Sequence, residues 1–281
     1  MSDFTILNWL RLRELFKSKE WDKNDNESEI FKRYSFLLNN LSELEQDLIL
    51  DLSERYLWIN YSKYMGLLEG LFALLTAGEN LADCRRIYFF PVIKPEDEDE
   101  TKSGNVLLYM VKTVKSFLPS PLDKIEFKII EQFEKITETT FRLQENELLI
   151  LIDDFIGSGT TINGTFSEID KNEFIPAAQI KVMAITIMRE AINILDGKNI
   201  AHYHKYVEAK GISDYYGEDV EKKMAIIKKI ETMTKAGSKY KLGYKKSEAL
   251  VTMARTPNNT FSIFWSNHIK NDKEYTAPFL R

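Results

Sequence analysis

Through LSELEQDLILDLSERYLWI, Leu48, Leu50, Leu52 and Tyr56 recur among charges at roughly helical spacing, and Ser42 with Glu45 three residues on forms a capping-box pattern at its start. A second periodic run, YSKYMGLLEGLFALLTAG, ends at Gly78, which fits a helix C-cap. Residues 1–82 therefore read as a helical extension. Its Leu71, Phe72 and Leu75 need cover from the next domain or from another subunit. From about residue 86 the pattern switches to β-type runs alternating with helix-length segments: RRIYFFPVI, NVLLYMVKTVKSFL, LLILIDD, TTINGTFSEIDK, IKVMAITIM and REAINILDG. Such alternation predicts βαβ units and a parallel sheet over residues 83–200, and the unbroken apolar runs LLILI and VMAITIM predict strands buried on both faces. In residues 201–281, IAHYHKYV reads as a strand and VEKKMAIIKKIETM as a helix. There, EALVTMARTPNNTFSIFW reads as a β-hairpin turning at Pro257 and Asn258, within a C-terminal hood.

Composition narrows the function classes. With 281 residues, 44% of them hydrophobic, the chain can bury a sizeable core, and a net charge of −5 drawn from 29% charged residues of both signs offers no basic field suited to phosphate backbones, so nucleic-acid binding is unsupported. The single cysteine, Cys84, rules out an intrachain disulfide or a cysteine-based zinc site and reads as structural. No apolar run reaches the roughly 18 residues that spanning a bilayer takes, and the N-terminus lacks the order of a signal peptide, so the expectation is a cytoplasmic protein without membrane association.

The candidate chemistry lies in LLILIDDFIGSGTTI, residues 148–162. If the aliphatic run is a central parallel strand, Asp153 and Asp154 stand at its carboxyl end, where open α/β sheets bind ligands. The loop Gly157, Ser158, Gly159, Thr160 and Thr161 then opens a helix. Glycines admit an anion close to the backbone, successive N–H groups point at it, and the helix start adds partial positive charge, so this loop suits a phosphate. Two carboxylates facing that phosphate would repel it, and they must serve another part of the ligand, either its hydroxyls or a hydrated Mg²⁺. A sugar phosphate meets both demands. A Walker loop needs a lysine that is absent, and a dinucleotide fingerprint fails because the next glycine after Gly159 is Gly164. The plain alternative is a strand whose aspartates only cap the next helix.

LILIDDFIGSGTT resembles the phosphoribosyl-pyrophosphate (PRPP) motif of type I phosphoribosyltransferases without a gap. The resemblance implies an α/β fold with a 5′-phosphate held by Gly157 to Thr161, ribose hydroxyls or Mg²⁺ at Asp153 and Asp154, and catalysis by positioning with Mg²⁺ neutralising the pyrophosphate leaving group. Gly157 occupies the place where purine enzymes of the family often carry an acid or base. A pyrophosphate loop is expected after the first core strand, with Lys94, Lys102, Ser103 and Gly104 as contacts beside the acids Glu96 to Glu100, which read as a solvated loop. The family's lid segment corresponds to residues 119–147, where Lys124, Lys128, Lys135 and Arg142 lie outside any glycine-rich stretch. The helical N-terminus, KGISDYYG and the TPNNT tail are similar in layout to phosphoribosyltransferase-like proteins of bacterial conflict and antiviral defence operons, which implies a protein partner. A non-catalytic sensor keeping the phosphate site is the alternative. His202 and His204 share a strand face but lack a third metal ligand nearby, and Tyr244, Asn258, Asn259 and Trp265 are the contacts a hood over an acceptor would offer.

Overall fold

The computed structural model describes residues 6–21, 27–98, 103–279 and 281. In chain order its elements are α1 (Ile6–Ser18), α2 (Glu27–Asn39), α3 (Glu43–Glu54), β1 (Leu57–Trp58), α4 (Tyr64–Gly78), β2 (Arg86–Pro91), α5 (Ser103–Val114), β3 (Glu126–Ile129) and α6 (Phe133–Thr137). They continue with β4 (Glu147–Ile156), α7 (Thr160–Ile169), β5 (Ile180–Met188), α8 (Arg189–Gly197), β6 (Ala201–Glu208), α9 (Val220–Glu231), β7 (Val251–Thr252), β8 (His268–Lys270) and β9 (Lys273–Tyr275). These elements form two compact units, Met1–Asn60 with Ala209–Arg281, and Tyr61–Glu208. Among the described residues no helix is long and apolar enough to cross a membrane.

Within Tyr61–Glu208 the expected α/β architecture is present. Five parallel strands lie in the order β3-β2-β4-β5-β6. All nine residues of β5 are buried, as the unbroken apolar run required. Leu149, Leu151, Val182 and Ala184 pack with Ile162 and Phe166 of α7 and Ala191 and Leu195 of α8. By strand alternation Ile150 and Ile152 turn to the other face, which α4 and α5 cover. Each fully buried Leu or Ile contributes about 1.5–3 kcal/mol. Gly78 ends α4 with no left-handed turn; a Cβ there would lie 2.7 Å from the Tyr203 ring, so the glycine makes room for that ring instead. β3 was not expected: its exposed Glu126 and Lys128 alternate with half-buried Phe127 and Ile129, the pattern of an outer strand.

The other unit is built around rings. Tyr56 stacks on Phe279 at 4.8 Å, and Trp21, Tyr34 and Phe264 complete the cluster beneath α1 to α3. The capping box forms as expected, with the Ser42 N–H donating to Glu45 at 2.8 Å. The hairpin expected at Pro257 and Asn258 is corrected: β7 pairs in parallel with β1, Ser262–Phe264 is a 3₁₀ turn, and the segments flanking Pro257 meet through a parallel bridge of Ala249 with Thr260 in place of an antiparallel ladder. The hairpin of this region is β8 with β9, turning at Asn271 and Asp272, whose φ of 50° and 57° suit the tight turns that match strand twist. Glu231 is fully buried and ties three segments together, accepting the Leu242 N–H at 2.6 Å and the Ser262 N–H and hydroxyl at 2.6 and 2.8 Å.

Candidate functional site

The strand order places the candidate site. Starting from β2, the chain first moves outward to β3, then returns to lay β4, β5 and β6 on the opposite side of β2. The order therefore reverses between β2 and β4, and in doubly wound sheets ligands bind at the carboxyl ends of such a pair. β2 stops at Pro91, opposite Ile152, while β4 continues alongside β5 with Asp153 opposite Ala184 and Phe155 opposite Thr186. Strand β4 thus reaches Ile156, four residues beyond the apolar run, because β5 still offers it a partner. β2 offers no pairing partner to Asp153 or Asp154.

The start of α5 fills part of that gap. The Ser103 hydroxyl donates to Asp153 Oδ1 at 2.7 Å, and the same oxygen accepts the Asp154 N–H at 2.8 Å. Gly104 allows this approach: a Cβ there would lie 2.9 Å from the Pro91 side chain and 3.1 Å from the Ile152 carbonyl oxygen. Asp154 Oδ2 accepts the Tyr64 hydroxyl at 2.7 Å, a contact from α4 that sequence reading missed because the partners are 90 residues apart. The two aspartates are only 8% and 5% exposed. Burial, reinforced by the Asp154 charge, pushes the Asp153 carboxyl well above the ordinary range, and burial pushes Asp154 up as well despite its hydrogen bonds to Tyr64 and Ser103.

A like-charged buried pair of this kind favours a bound cation or hydrogen-bond donors over an empty solvent pocket. Among the described residues no group of three or more His, Cys, Asp or Glu could hold a metal. Mg²⁺ takes one or two carboxylates from a protein and its other ligands from water and substrate phosphate, so Asp153 and Asp154 are the residues here that would hold it.

The loop after β4 is shaped by Gly159. Its φ is +76°, and a Cβ there would start 2.3 Å from Ile194 Cδ1, so the backbone at the helix start favours glycine. α7 begins at Thr160, and its first N–H groups have no acceptor within the helix. Ser158 and Thr160 exchange a hydroxyl contact at 3.1 Å, and Gly157, Ser158, Thr160 and Thr161 are half-buried. Lys94 crosses the same helix, since its Cγ lies 3.4 Å from where a Cβ on Gly164 would be, and the neighbouring Ile93 carbonyl accepts the Thr165 hydroxyl at 2.7 Å. The Lys94 ammonium is 3.4 Å from Glu96. Lys102, with Asp99 and Glu100, lies outside the described residues. Glu98 is not simply solvated: its carboxylate accepts the N–H of Phe133, the first residue of α6.

Other sequence candidates have local roles. Lys128 pairs with Glu126 at 2.8 Å, and Arg142 stacks over Phe174 at 3.7 Å. The His202 and His204 rings stack at 5.3 Å, with His202 3.0 Å from Asp196. The Cys84 thiol is raised by burial and reaches the Arg86 carbonyl, while Arg86 itself is held by Glu126 and Glu147 at 2.6 and 2.7 Å. In the other unit, Asn259 donates to Ser247 and the Trp265 ring N–H to the Thr260 carbonyl.

Among curated proteins no match was found. One family accounts for nearly all of the chain, matching residues 23–281 across both compact units: the protein belongs to PRTase-CE, a phosphoribosyltransferase-like family.

Proposed function

We propose that the protein binds PRPP, or a closely related ribose 5-phosphate ligand, together with Mg²⁺, and transfers the phosphoribosyl group to a base or nucleotide. The observation that supports this reading is the buried Asp153–Asp154 pair at the strand-order reversal, followed directly by the Gly159 turn and the start of α7. In this reading the α7 start takes the 5′-phosphate and the aspartates take ribose hydroxyls and the hydrated ion. Lys94 and Ser103 border the pyrophosphate side, with Gly104 in the first turn of α5; Lys102, next to Ser103 in the sequence, is the further contact this reading assigns. Mg²⁺ would supply charge neutralisation of the leaving pyrophosphate. The residues' own contribution is positioning and exclusion of water, with Tyr64 and Ser103 holding the two carboxylates in place.

The second reading is a non-catalytic ligand sensor acting with a protein partner. It is favoured by the commitment of Lys128 and Arg142 to local contacts, which leaves them no part in a lid, and by the apolar side chains Ile6, Leu7 and Leu10 that α1 exposes. Both readings belong to a cytoplasmic setting, and antiviral defence is the biological role we propose. Calorimetric titration with PRPP, with and without Mg²⁺, is the test: absence of binding at millimolar ligand sinks both readings. Pyrophosphate release with a panel of bases and nucleotides then separates enzyme from sensor. Plaque counts with wild-type and Asp153→Asn proteins test the defence role, which fails if phage plating is the same without the protein.

A further inference from the structure

Against a net charge of −5, the stretch 235–246, KAGSKYKLGYKK, carries five lysines, two tyrosines and no acid. The structure concentrates it. Residues 242–248 fold tightly against residues 257–260: the Tyr244 N–H donates to the Asn258 carbonyl at 2.8 Å and the Ser247 hydroxyl to the Asn259 carbonyl at 2.9 Å. A Cβ on Gly243 would lie 1.9 Å from the Asn259 oxygen. Leu242, Lys245, Lys246 and Glu248 all hold left-handed φ values, 61°, 58°, 56° and 52°. Non-glycine residues hold that conformation in series only when surrounding contacts impose it.

The fold-back gathers three half-buried rings. Tyr240 lies edge-on to Trp265 at 5.8 Å and 6.4 Å from Tyr244, while the Trp265 ring N–H is fixed on the Thr260 carbonyl at 2.8 Å. Cations stand over them. Lys239 is 4.8 Å from the Tyr240 centroid, Lys245 is 6.0 Å from Tyr244, and the Arg281 guanidinium is 5.2 Å from Trp265 and 5.7 Å from Tyr240. Lys235 is neutralised by Glu274, but Lys239, Lys245, Lys246 and Arg281 make no ion pair among the described residues. Ring faces covered by unpaired cations are what a nucleotide chain exploits: a base can stack on the ring while the displaced cation moves to a phosphate.

We propose that this face binds single-stranded nucleic acid without sequence preference, a property beyond the sugar-phosphate reading. An acidic peptide would use the charges but not three rings, and a duplex keeps its bases stacked inward, away from the aromatic faces. The overall acidity of the chain argues against a global basic field only; this patch is local.

Fluorescence anisotropy of a labelled oligothymidylate of about twelve nucleotides tests it, at about 50 mM salt and above. Binding should weaken linearly on a log–log salt plot. The triple variant Lys239→Gln, Lys245→Gln, Lys246→Gln should lower the slope by about 2, at roughly 0.7 for each phosphate that a lysine no longer neutralises. Tyr244→Leu should weaken binding about tenfold with the slope unchanged. Circular dichroism confirms that each variant folds, and wild-type protein alone decides the first arm. No binding at tens of micromolar protein, equal affinity for a duplex of the same length, or a slope unmoved by the triple variant each overturns the proposal.

Discussion

Gly159→Ala is the sharpest perturbation of the candidate site, because two separate causes can be weighed. The backbone there has φ +76°, and holding an L-residue in the left-handed region costs about 1–2 kcal/mol. The new methyl would also start 2.3 Å from Ile194 Cδ1, well inside contact distance. Ile194 is half-buried on α8 and can swing its terminal carbon away, so the steric part costs about 1–2 kcal/mol, toward the low end for overpacking. Together they predict a loss of about 2–4 kcal/mol, or a fall in Tm of about 5–15 °C. A double-mutant cycle separates the causes: with Ile194→Ala in the background the steric part vanishes and Gly159→Ala should cost only the backbone part. Thermal and urea unfolding followed by circular dichroism give the four stabilities. A single Gly159→Ala change within about 0.5 kcal/mol of wild type, the ordinary range for surface substitutions, would refute the placement of this turn. Because the loop would be displaced rather than deleted, PRPP affinity should fall in parallel with the strain.

The remaining expectations concern buried polar groups. Asp153→Asn with Asp154→Asn should weaken Mg²⁺-dependent PRPP binding by tenfold or more in calorimetry; unchanged affinity would make the acids purely structural. Both carboxyl pKa values are raised in the fold, so their contribution favours folding at low pH and is lost as pH rises through the raised values, and the ligand-free Asn variant should melt higher than wild type at neutral pH. Tyr64→Phe removes one donor to buried Asp154 and should cost about 1–2 kcal/mol in urea unfolding while moving the pH midpoint of ligand binding upward. Glu231→Gln cannot accept at both carboxylate positions, which leaves the Leu242 or Ser262 N–H facing a donor, and a loss of about 1–3 kcal/mol should follow; a neutral result contradicts the buried network. Burial pushes His268 down to about 4, so between pH 6.5 and 4 the unfolded chain binds the extra proton and stability falls with acid, a slope that His268→Phe should flatten in pH-dependent melts.

The core and its central strand were legible because their information is local. Unbroken apolar runs in β4 and β5 announce strands buried on both faces, and the Gly-Ser-Gly turn announces a helix start. β3 was not legible, since four residues with two exposed charges look like a loop until a neighbouring strand pairs with them. Long-range placement was hidden in the same way. Nothing around Tyr64 marks it as the donor to an aspartate 90 residues away, and nothing around Ile194 marks it as the group that a side chain at position 159 would meet. Nor does any local pattern encode that Ala209–Arg281 and the N-terminal helices share one compact unit.

The same topology accounts for both the cost and the use of the acids. β4 extends beyond β2 only because β5 still pairs with it, and this carries two carboxylates into a position that α4 and α5 close off from solvent. Donors from Tyr64, Ser103 and one backbone N–H offset part of the burial, yet both carboxyls remain raised. The fold therefore disfavours ionising this pair, and a ligand that brings a cation or several hydroxyl donors would stabilise the ionised form. A ligand that also carries a phosphate meets the start of α7 a few residues further on, without facing the acids. Under the reading proposed above, a metal-bound sugar phosphate would be preferred to a simple anion: a bare phosphate gains the helix start but leaves the carboxylates unrelieved, and a bare cation gains the carboxylates but leaves the loop empty.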